Sequence, residues 1–413
     1  MVKSPELNRF LSEVIGITEP WNVSSVELDN DSETVSIELE YNRAKKREPP
    51  RCECGGECGY YDTVRKTWRH VDLCGYLCII GGDVPRVKCK TCGKVFRTSV
   101  PWAADSINKY TDRFEAQLIR LSKEMPMSSV CREMRVDSST AWTILDRYVE
   151  KRMKSHNLEH VHTYYVDEKA ISKGHEYLST FLDQNHKVIF VAEGNSSDAI
   201  RDFRMYLEEH GGSADNILHV SMDMGAGYRK GTAEYFPDAK ITFDRFHVVS
   251  HMTEAVNEVR RREYAGLMKE EAEDREALKG KRYLLLRNNK DLGDSEKEDV
   301  KSLISRFKDL GRTYIQKETL RGVWGMEKKY DARMYLLRWL KESRETKIKE
   351  LVAVAEMMER HMEGILNWYD SKISNGVMEG FNSVLQAVKG RARGYRSFER
   401  FRTMIYLRSS GIC

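Results

Sequence analysis

The chain has 413 residues, room for two to four domains, and its 40% hydrophobic and 32% charged content is that of a globular protein. Its 68 Lys and Arg against 64 Asp and Glu leave a net charge of only +4. The chain is therefore no polycation, and any surface for a polyanion must come from local segregation of charge. The N-terminus, MVKSPELNRF, has no apolar leader segment. No run of about 18 apolar residues occurs either, so we expect a cytoplasmic protein without a membrane span. Nine Cys is an odd number, and seven of them fall between Cys52 and Cys92. That clustering suits metal binding in a reducing compartment better than a disulfide framework.

Residues 1–42 read as a small lead-in. SVELDNDSETVSIELEY alternates apolar and polar residues on both sides of an Asp-Asn-Asp turn, which predicts a hairpin. RAKKREPP then forms a basic, Pro-containing boundary. The next stretch carries the cysteines. RCECGGEC supplies Cys52, Cys54 and Cys58, and VKCKTCGKVF supplies Cys89 and Cys92 as a C-x-x-C-G-K knuckle. Two thiolate pairs at hairpin tips close a tetrahedral Zn²⁺ site. The second pair is clear. The first is irregular, and either Cys52 with Cys54 or Cys54 with Cys58 completes the four. Cys74 and Cys78, in LCGYLCII, read as core residues, and His70 as a strand-surface histidine.

Residues 111–154 predict three helices: TDRFEAQLIRLSKEM, then PMSSVCREMRV with Pro126 near its first turn, then DSSTAWTILDRYVEKRMK capped by Asp137 or Ser138. A short helix, a tight turn and a helix that opens with Ser and Thr and ends basic fit a helix-turn-helix. Its recognition helix presents Ser138, Ser139, Thr140 and Arg147.

The character changes over residues 162–250. HTYYVDEKAI, EYLSTFLDQ and KVIFVAEG are strand patterns, SSDAIRDFRMYLEEHGG is a helix, NILHVSMDM a strand, GYRKGTAEYFP a short helix and AKITFDRFHVV a strand. The order β-β-β-α-β-α-β predicts a mixed sheet flanked by helices. Asp167 and Asp223 fall at the C-terminal ends of two of these strands, where ligand sites collect in open α/β sheets. Residues 251–370 are polar, highly charged and helical, an insertion between the sheet and a final helix. Over residues 371–408, Val377, Phe381, Val384, Leu385 and Val388 form one apolar stripe with Glu379 off it. Lys372 to Arg408 holds eight Lys or Arg against two Glu. A lone acid ahead of a basic run suits a metal-binding carboxylate beside a phosphate backbone. Asp167, Asp223 and Glu379 together are hard oxygen ligands that select Mg²⁺ or Mn²⁺ rather than zinc.

Three blocks then carry a resemblance: YYVDEKAI, SMDMGAGYRKGTAEYFPDAKITFDRFHVVSHM and SNGVMEGFNSVLQAVKGRARGYRSFERFR. They resemble the catalytic blocks of DDE transposases from bacterial and archaeal insertion sequences, of the ISL-three type. TWRHVDLCGYLCIIGGDVPRVKC and VPWA are similar to that family's zinc-binding N-terminal region. The resemblance runs from about residue 50 to the end. It implies a ribonuclease-H-like α/β core, interrupted by an all-α insertion and preceded by a zinc ribbon and a helix-turn-helix. It implies Asp167, Asp223 and Glu379 as the catalytic, metal-binding triad, with two Mg²⁺ (or Mn²⁺) driving cleavage and strand transfer. Lys389, Arg391, Arg393 and Arg396 would line the DNA backbone. The partners implied are element-end and target DNA and, because two ends must meet, a dimer or higher assembly at the nucleoid.

We therefore expect a lead-in (1–48), a zinc ribbon (49–104), a helix-turn-helix (105–155), the first part of the core (156–250), the insertion (251–370) and the Glu helix with its basic tail (371–413). Asp244, also at a strand end, is expected with His247 to support the site or cap the following helix. Glu168 should point to the opposite sheet face from Asp167. The competing readings are a DNA-binding regulator or silenced transposase that uses the sheet as scaffold, and a plain structure-specific nuclease.

Overall fold

The structure, a computed structural model, describes residues 4–42, 50–103, 109–170, 177–268, 271–373, 376–391 and 397–409. The chain divides into two compact units, Met1–Val149 and Glu150–Cys413.

The first unit opens with a helix absent from our reading, α1 (Pro5–Ile15). Ser4 caps it, Pro5 starts it, and Gly16 ends it at φ 78°, a left-handed conformation that glycine adopts without a Cβ penalty. The expected hairpin follows as β1 (Trp21–Asp29) and β2 (Thr34–Tyr41), paired antiparallel. The cysteine region supplies β3 (Cys58–Arg69), β4 (Leu77–Cys89) and β5 (Val95–Arg97). The hub is β4. Its first half pairs in parallel with β2 through Leu77–Gly82. Its other edge pairs with β3 along almost its whole length, and its end pairs with β5. The lead-in hairpin and the cysteine hairpin thus share one sheet, in the order β1-β2-β4-β3.

Three tryptophans drawn from distant stretches knit the core of this sheet. Trp102 packs edge-on to Trp21 at 5.1 Å and to Trp68 at 5.4 Å, a preferred aromatic geometry. Cys78 is fully buried there as expected, but Cys74 is exposed, in a turn at φ 52°. His70 is buried rather than on the strand surface, and its Nδ1 lies 2.8 Å from Thr111 Oγ1. Thr111 caps α2 (Asp112–Glu124), so the histidine joins the sheet to the helices. Then come α3 (Met127–Glu133) and α4 (Ser138–Lys154).

The second unit holds β6 (Thr163–Ala170), β7 (Tyr177–Asp183), β8 (Val188–Glu193), α5 (Ser197–Glu209), β9 (His219–Met222), α6 (Ala226–Tyr235) and β10 (Lys240–Phe243), the order read from the sequence. The sheet order is β10-β9-β6-β7-β8. β6, β7 and β8 form an antiparallel meander, while β9 and β10 join in parallel on the other side. Tyr164, Phe181, Phe203 and Phe236 stack into a fully buried aromatic core between sheet and helices.

A helical region runs from α7 (Arg245–Gly266) through α8 (Ala272–Leu278), α9 (Arg282–Leu286), α10 (Asp294–Arg306), α11 (Lys308–Leu320), α12 (Lys329–Glu345), α13 (Lys349–Arg360) and α14 (Met362–Leu366) to α15 (Trp368–Ser371). It is the expected helical insertion. Its end returns to the open edge of β10, where Asn367 Nδ2 donates to Ile241 O at 2.9 Å. The last elements are α16 (Gly376–Arg391) and α17 (Phe398–Ser409). Tyr406 of α17 covers the other sheet edge, because its hydroxyl accepts from the Val191 N–H of β8 at 2.9 Å. Covering both edges in this way limits the exposure of unpaired backbone groups on which open sheets aggregate. No described helix is long and apolar enough to cross a membrane.

Candidate carboxylate site and DNA-binding unit

Parallel pairing of β6 with β9 sets Thr163, Tyr164 and Tyr165 against His219, Val220 and Ser221. Continued two residues, this register puts Asp223 level with Asp167 on the neighbouring strand. The pairing of β9 with β10 sets Phe243 against Met222, and the Asp244 N–H donates to Met222 O at 2.9 Å. Asp244 is thereby level with Asp223. Residues in register on parallel strands project to the same face, so three aspartates stand in a row across β6, β9 and β10. Asp167 is not at a strand end as expected, since β6 continues for three more residues, paired with β7. Only on the β9 side does pairing stop before it.

Asp167 is 6% exposed. Its Oδ2 accepts from Asn382 Nδ2 at 2.7 Å and its Oδ1 from the Glu168 N–H at 2.9 Å. Burial raises its pKa above the usual carboxylate value against the pull of Asn382 and His247, and nearby Asp223 adds to the rise. A carboxylate so buried gains from a cation brought beside it. Asp223 is half-buried, and its Oδ1 accepts from the Gly225 N–H at 2.8 Å. A Cβ on residue 225 would lie 2.8 Å from that same oxygen, so a larger residue there would push the carboxylate from its present position.

Asp244 is the N-cap of α7, its Oδ1 accepting from the Phe246 N–H at 3.0 Å. His247, one turn into α7, places Nε2 3.7 Å from Asp244 and 4.0 Å from Asp167. Glu168 accepts instead from Asn195, ahead of α5.

α16 is tied to β6 twice, by Asn382 to Asp167 and by Lys389 Nζ to Ala170 O at 3.3 Å. Seven helical residues rise about 10.5 Å and three strand residues about 10 Å, so the helix runs beside β6 in the same direction. Position 379 lies one turn before Asn382 on the same helical face. The side chains of Glu379 and Arg391 lie outside what is described, as do Arg393 and Arg396 altogether. The buried stripe of α16 is Met378, Phe381, Leu385 and Val388, whereas Val384 is 40% exposed. The apolar face therefore includes Met378 and omits Val384. His247 stands with Asp244 as expected, and its approach to Asp167 is added by the structure; Asn382, in the third of the resembling blocks, has no role that the sequence alone assigns.

In the first unit, the Sγ atoms of Cys52, Cys54, Cys89 and Cys92 all lie within 4.8 Å of one another. Cys52 to Cys92 and Cys54 to Cys89 are each 3.6 Å apart. That is well beyond a disulfide bond of about 2.05 Å and close to the edge of about 3.8 Å of a tetrahedron with Zn–S bonds of about 2.3 Å. The first pair is thus Cys52 with Cys54. Cys58, buried and paired in register with Cys89, stands outside the quartet. The Cys92 N–H donates to Cys89 Sγ and, with help from the Thr91 N–H and against burial, lowers that thiol to about 6. Cys89 is thereby poised to bind as thiolate, whereas, against a backbone hydrogen bond from Gly56, hydrogen bonding to Cys89, Cys92 and Cys52 pushes the Cys54 thiol up to about 12.

α3 and α4 meet at Arg135, which has φ 48°. The Asp137 carboxylate caps α4, accepting from the Thr140 N–H at 2.8 Å and from the hydroxyls of Ser139 and Thr140. Ser138 and Ser139 are exposed at the start of α4. Arg147 does not stand free, because its Nη2 donates to both oxygens of the Glu115 carboxylate on α2, bracing the helices.

Helices laid out as a helix-turn-helix, together with a row of buried and half-buried acids on a mixed sheet, suit an enzyme that acts on DNA, and comparison with known proteins gives the family. The chain belongs to the ISL3-type DDE transposases: the family model described as "Transposase" matches residues 165–405, and that for the helix-turn-helix domain of transposase family ISL3 matches residues 98–149. The transposase for insertion sequence element IS1001 of Bordetella parapertussis is 25% identical over 399 residues, 96% of this chain and 97% of that protein. The transposase for insertion sequence element IS1557 of Mycobacterium tuberculosis (strain CDC 1551 / Oshkosh) is 27% identical over 376 residues, 84% of this chain and 83% of its own.

Proposed function

We propose that this transposase cleaves DNA at the ends of its element and transfers the strands, with Asp167, Asp223 and Glu379 binding the divalent cations, Mg²⁺ or Mn²⁺. The observation that carries the reading is the level placement of Asp167 and Asp223 on adjacent strands, with the Glu379 helix bonded to Asp167 through Asn382. An antiparallel meander extended by two parallel strands supports a ribonuclease-H-like core. Cations bound there would activate a water or a 3′-hydroxyl and stabilise the leaving oxygen. The chain's own residues fix the ligands. Asn382 and the Glu168 N–H hold both oxygens of Asp167. The Gly225 N–H holds Asp223, and His247 packs beside Asp167 and Asp244.

We assign Cys52, Cys54, Cys89 and Cys92 to a structural Zn²⁺. The start of α4, with Ser138, Ser139 and Thr140, is assigned to the element ends. Arg147 could join them only by leaving Glu115. Lys389, Arg391, Arg393 and Arg396 are assigned to the DNA backbone beyond Glu379, where contacts position the duplex without reading it. Because two ends must be joined, the working form on DNA is a dimer or larger.

The test is cleavage of labelled DNA carrying the element's flanking ends, with Mg²⁺ or EDTA, by wild type and Glu379→Gln. Metal-dependent nicking at the ends, lost in the variant, is expected. Tight binding with no cleavage under any metal would favour a DNA-binding regulator, and nicking without strand-transfer products a plain nuclease.

A further inference from the structure

An open cleft of about 1210 Å³ lies in the Met1–Val149 unit, bounded by β3, β4, β5, the Lys109–Tyr110 segment and the turn before α4. Its lining carries eight Lys or Arg and one acid, Glu53. Four of these cations are held by carboxylates of the unit: Arg65 by Glu38, Arg69 by Asp72, Lys94 by Glu53, and Arg135 near Asp72 and Glu33. Arg51, Lys66, Arg97 and Lys109 have no ion-pair partner among the described residues. Three of these four are exposed and Arg97 is half-buried. A second hollow in the same unit carries the opposite charge, with Glu38, Glu40, Asp62 and Asp83 around Arg65. In a chain whose net charge is only +4, this is the local segregation that a polyanion requires.

The cleft reaches from the cysteine knuckle, at Cys52 and Lys94, to the helix-turn-helix, at Arg135. Arg135 Nη2 donates to Gly75 O at 3.1 Å, bolting the turn between α3 and α4 to the sheet. The backbone on either side of Tyr110 pairs with the end of β3 through Arg69. Cleft and recognition helix therefore keep a fixed geometry.

We propose that this cleft is a track for the sugar–phosphate backbone of the duplex whose bases α4 reads, with Lys66, Arg97 and Lys109 as its phosphate contacts. The inference rests on the transposase reading above. It assigns sequence-independent affinity to the sheet and leaves base discrimination to the helix.

The experiment measures binding of the full chain, across a salt series, to an element-end duplex and to a scrambled duplex of equal length. The variant carries Lys66→Gln, Arg97→Gln and Lys109→Gln. We expect the slope of log K against log salt to become shallower by about 3, and affinity for both duplexes to fall by the same factor, about 100-fold at 0.15 M salt. A charge-conserving variant, with Lys66→Arg, Arg97→Lys and Lys109→Arg, should restore both. An unchanged slope would overturn the cleft assignment while leaving the transposase reading intact. So would a loss confined to the element-end duplex, or full loss in the charge-conserving variant as well. Failure of the wild type to bind either duplex would overturn the transposase reading itself.

Discussion

Cys52, Cys54, Cys89 and Cys92 come from the two ends of one β-hairpin, and their sulfurs already stand at the spacing of a zinc tetrahedron. Asp167, Asp223 and Asn382 come from two strands and a helix, and the bond from Asn382 to Asp167 spans 215 residues. The first site is soft, local and closed. The second is hard, assembled from remote segments, and made level only by strand register. Under the proposed assignment, four sulfur ligands would hold a structural ion, whereas oxygen ligands would leave coordination positions for water and substrate. The contrast shows what each site asks of the fold: one needs a hairpin, the other the whole second unit.

The strongest way to break this contrast is to remove a sulfur. Cys89→Ser should abolish the bound zinc, measured by elemental analysis, and unfold the knuckle, since structural Zn²⁺ binding is on the order of 10 kcal/mol in small domains. Cys58→Ser should keep one zinc per chain, and losing it there would mean that the quartet is wrongly drawn. Next is Asp167→Ala, for which we expect about a 10³-fold loss of end cleavage, about 4 kcal/mol of barrier, with DNA binding retained. Cleavage at the wild-type rate would remove Asp167 from the site.

A third test uses pH and concerns the first unit alone. Burial, with the positive charges of Arg113 and Arg69, lowers His70 from 6.5 to about 4. The folded chain then refuses a proton that the unfolded chain accepts. Stability is intact above pH 6.5 and falls as pH drops toward 4, by about 3 kcal/mol at most. Melting temperatures of wild type and His70→Gln should diverge over that window. Parallel curves would show that His70 does not carry the loss. The smallest effect is expected from Asn382→Ala, about 10- to 100-fold in activity or divalent-metal affinity, with an unchanged melting temperature of the first unit. An unaltered metal titration would reduce the bond to Asp167 to helix packing.

The legibility of these sites in the sequence follows the same division. The knuckle could be read from C-x-x-C-G-K because thiolate spacing within a turn nearly dictates its geometry. Even so, spacing alone left Cys54 with two possible partners, and only the strand pairing decided between Cys52 and Cys58. The strand and helix order of the core was equally readable, since it rests on periodicity. Register was not, so Asp167 was placed at a strand end when it sits three residues inside β6. The position of Asp244 beside Asp223, and the reach of His247 to Asp167, depend on the same alignment. α1 was missed although Ser4, Pro5 and Gly16 mark both its ends, because the hairpin pattern after it dominated the stretch. The α16 stripe was off at Val384 because helical spacing fits neighbouring faces almost equally well, and only packing shows that Met378 turns inward.

The order of elements along the chain has a consequence for how the protein is made. The cysteine hairpin, the helix-turn-helix and the three in-register aspartates are synthesised well before α16, which follows the entire helical insertion. If the proposed assignments hold, a nascent chain would bind DNA before it has Glu379, the last of the residues proposed to cut it. A message truncated within the insertion would yield a competitor that occupies element ends without moving them.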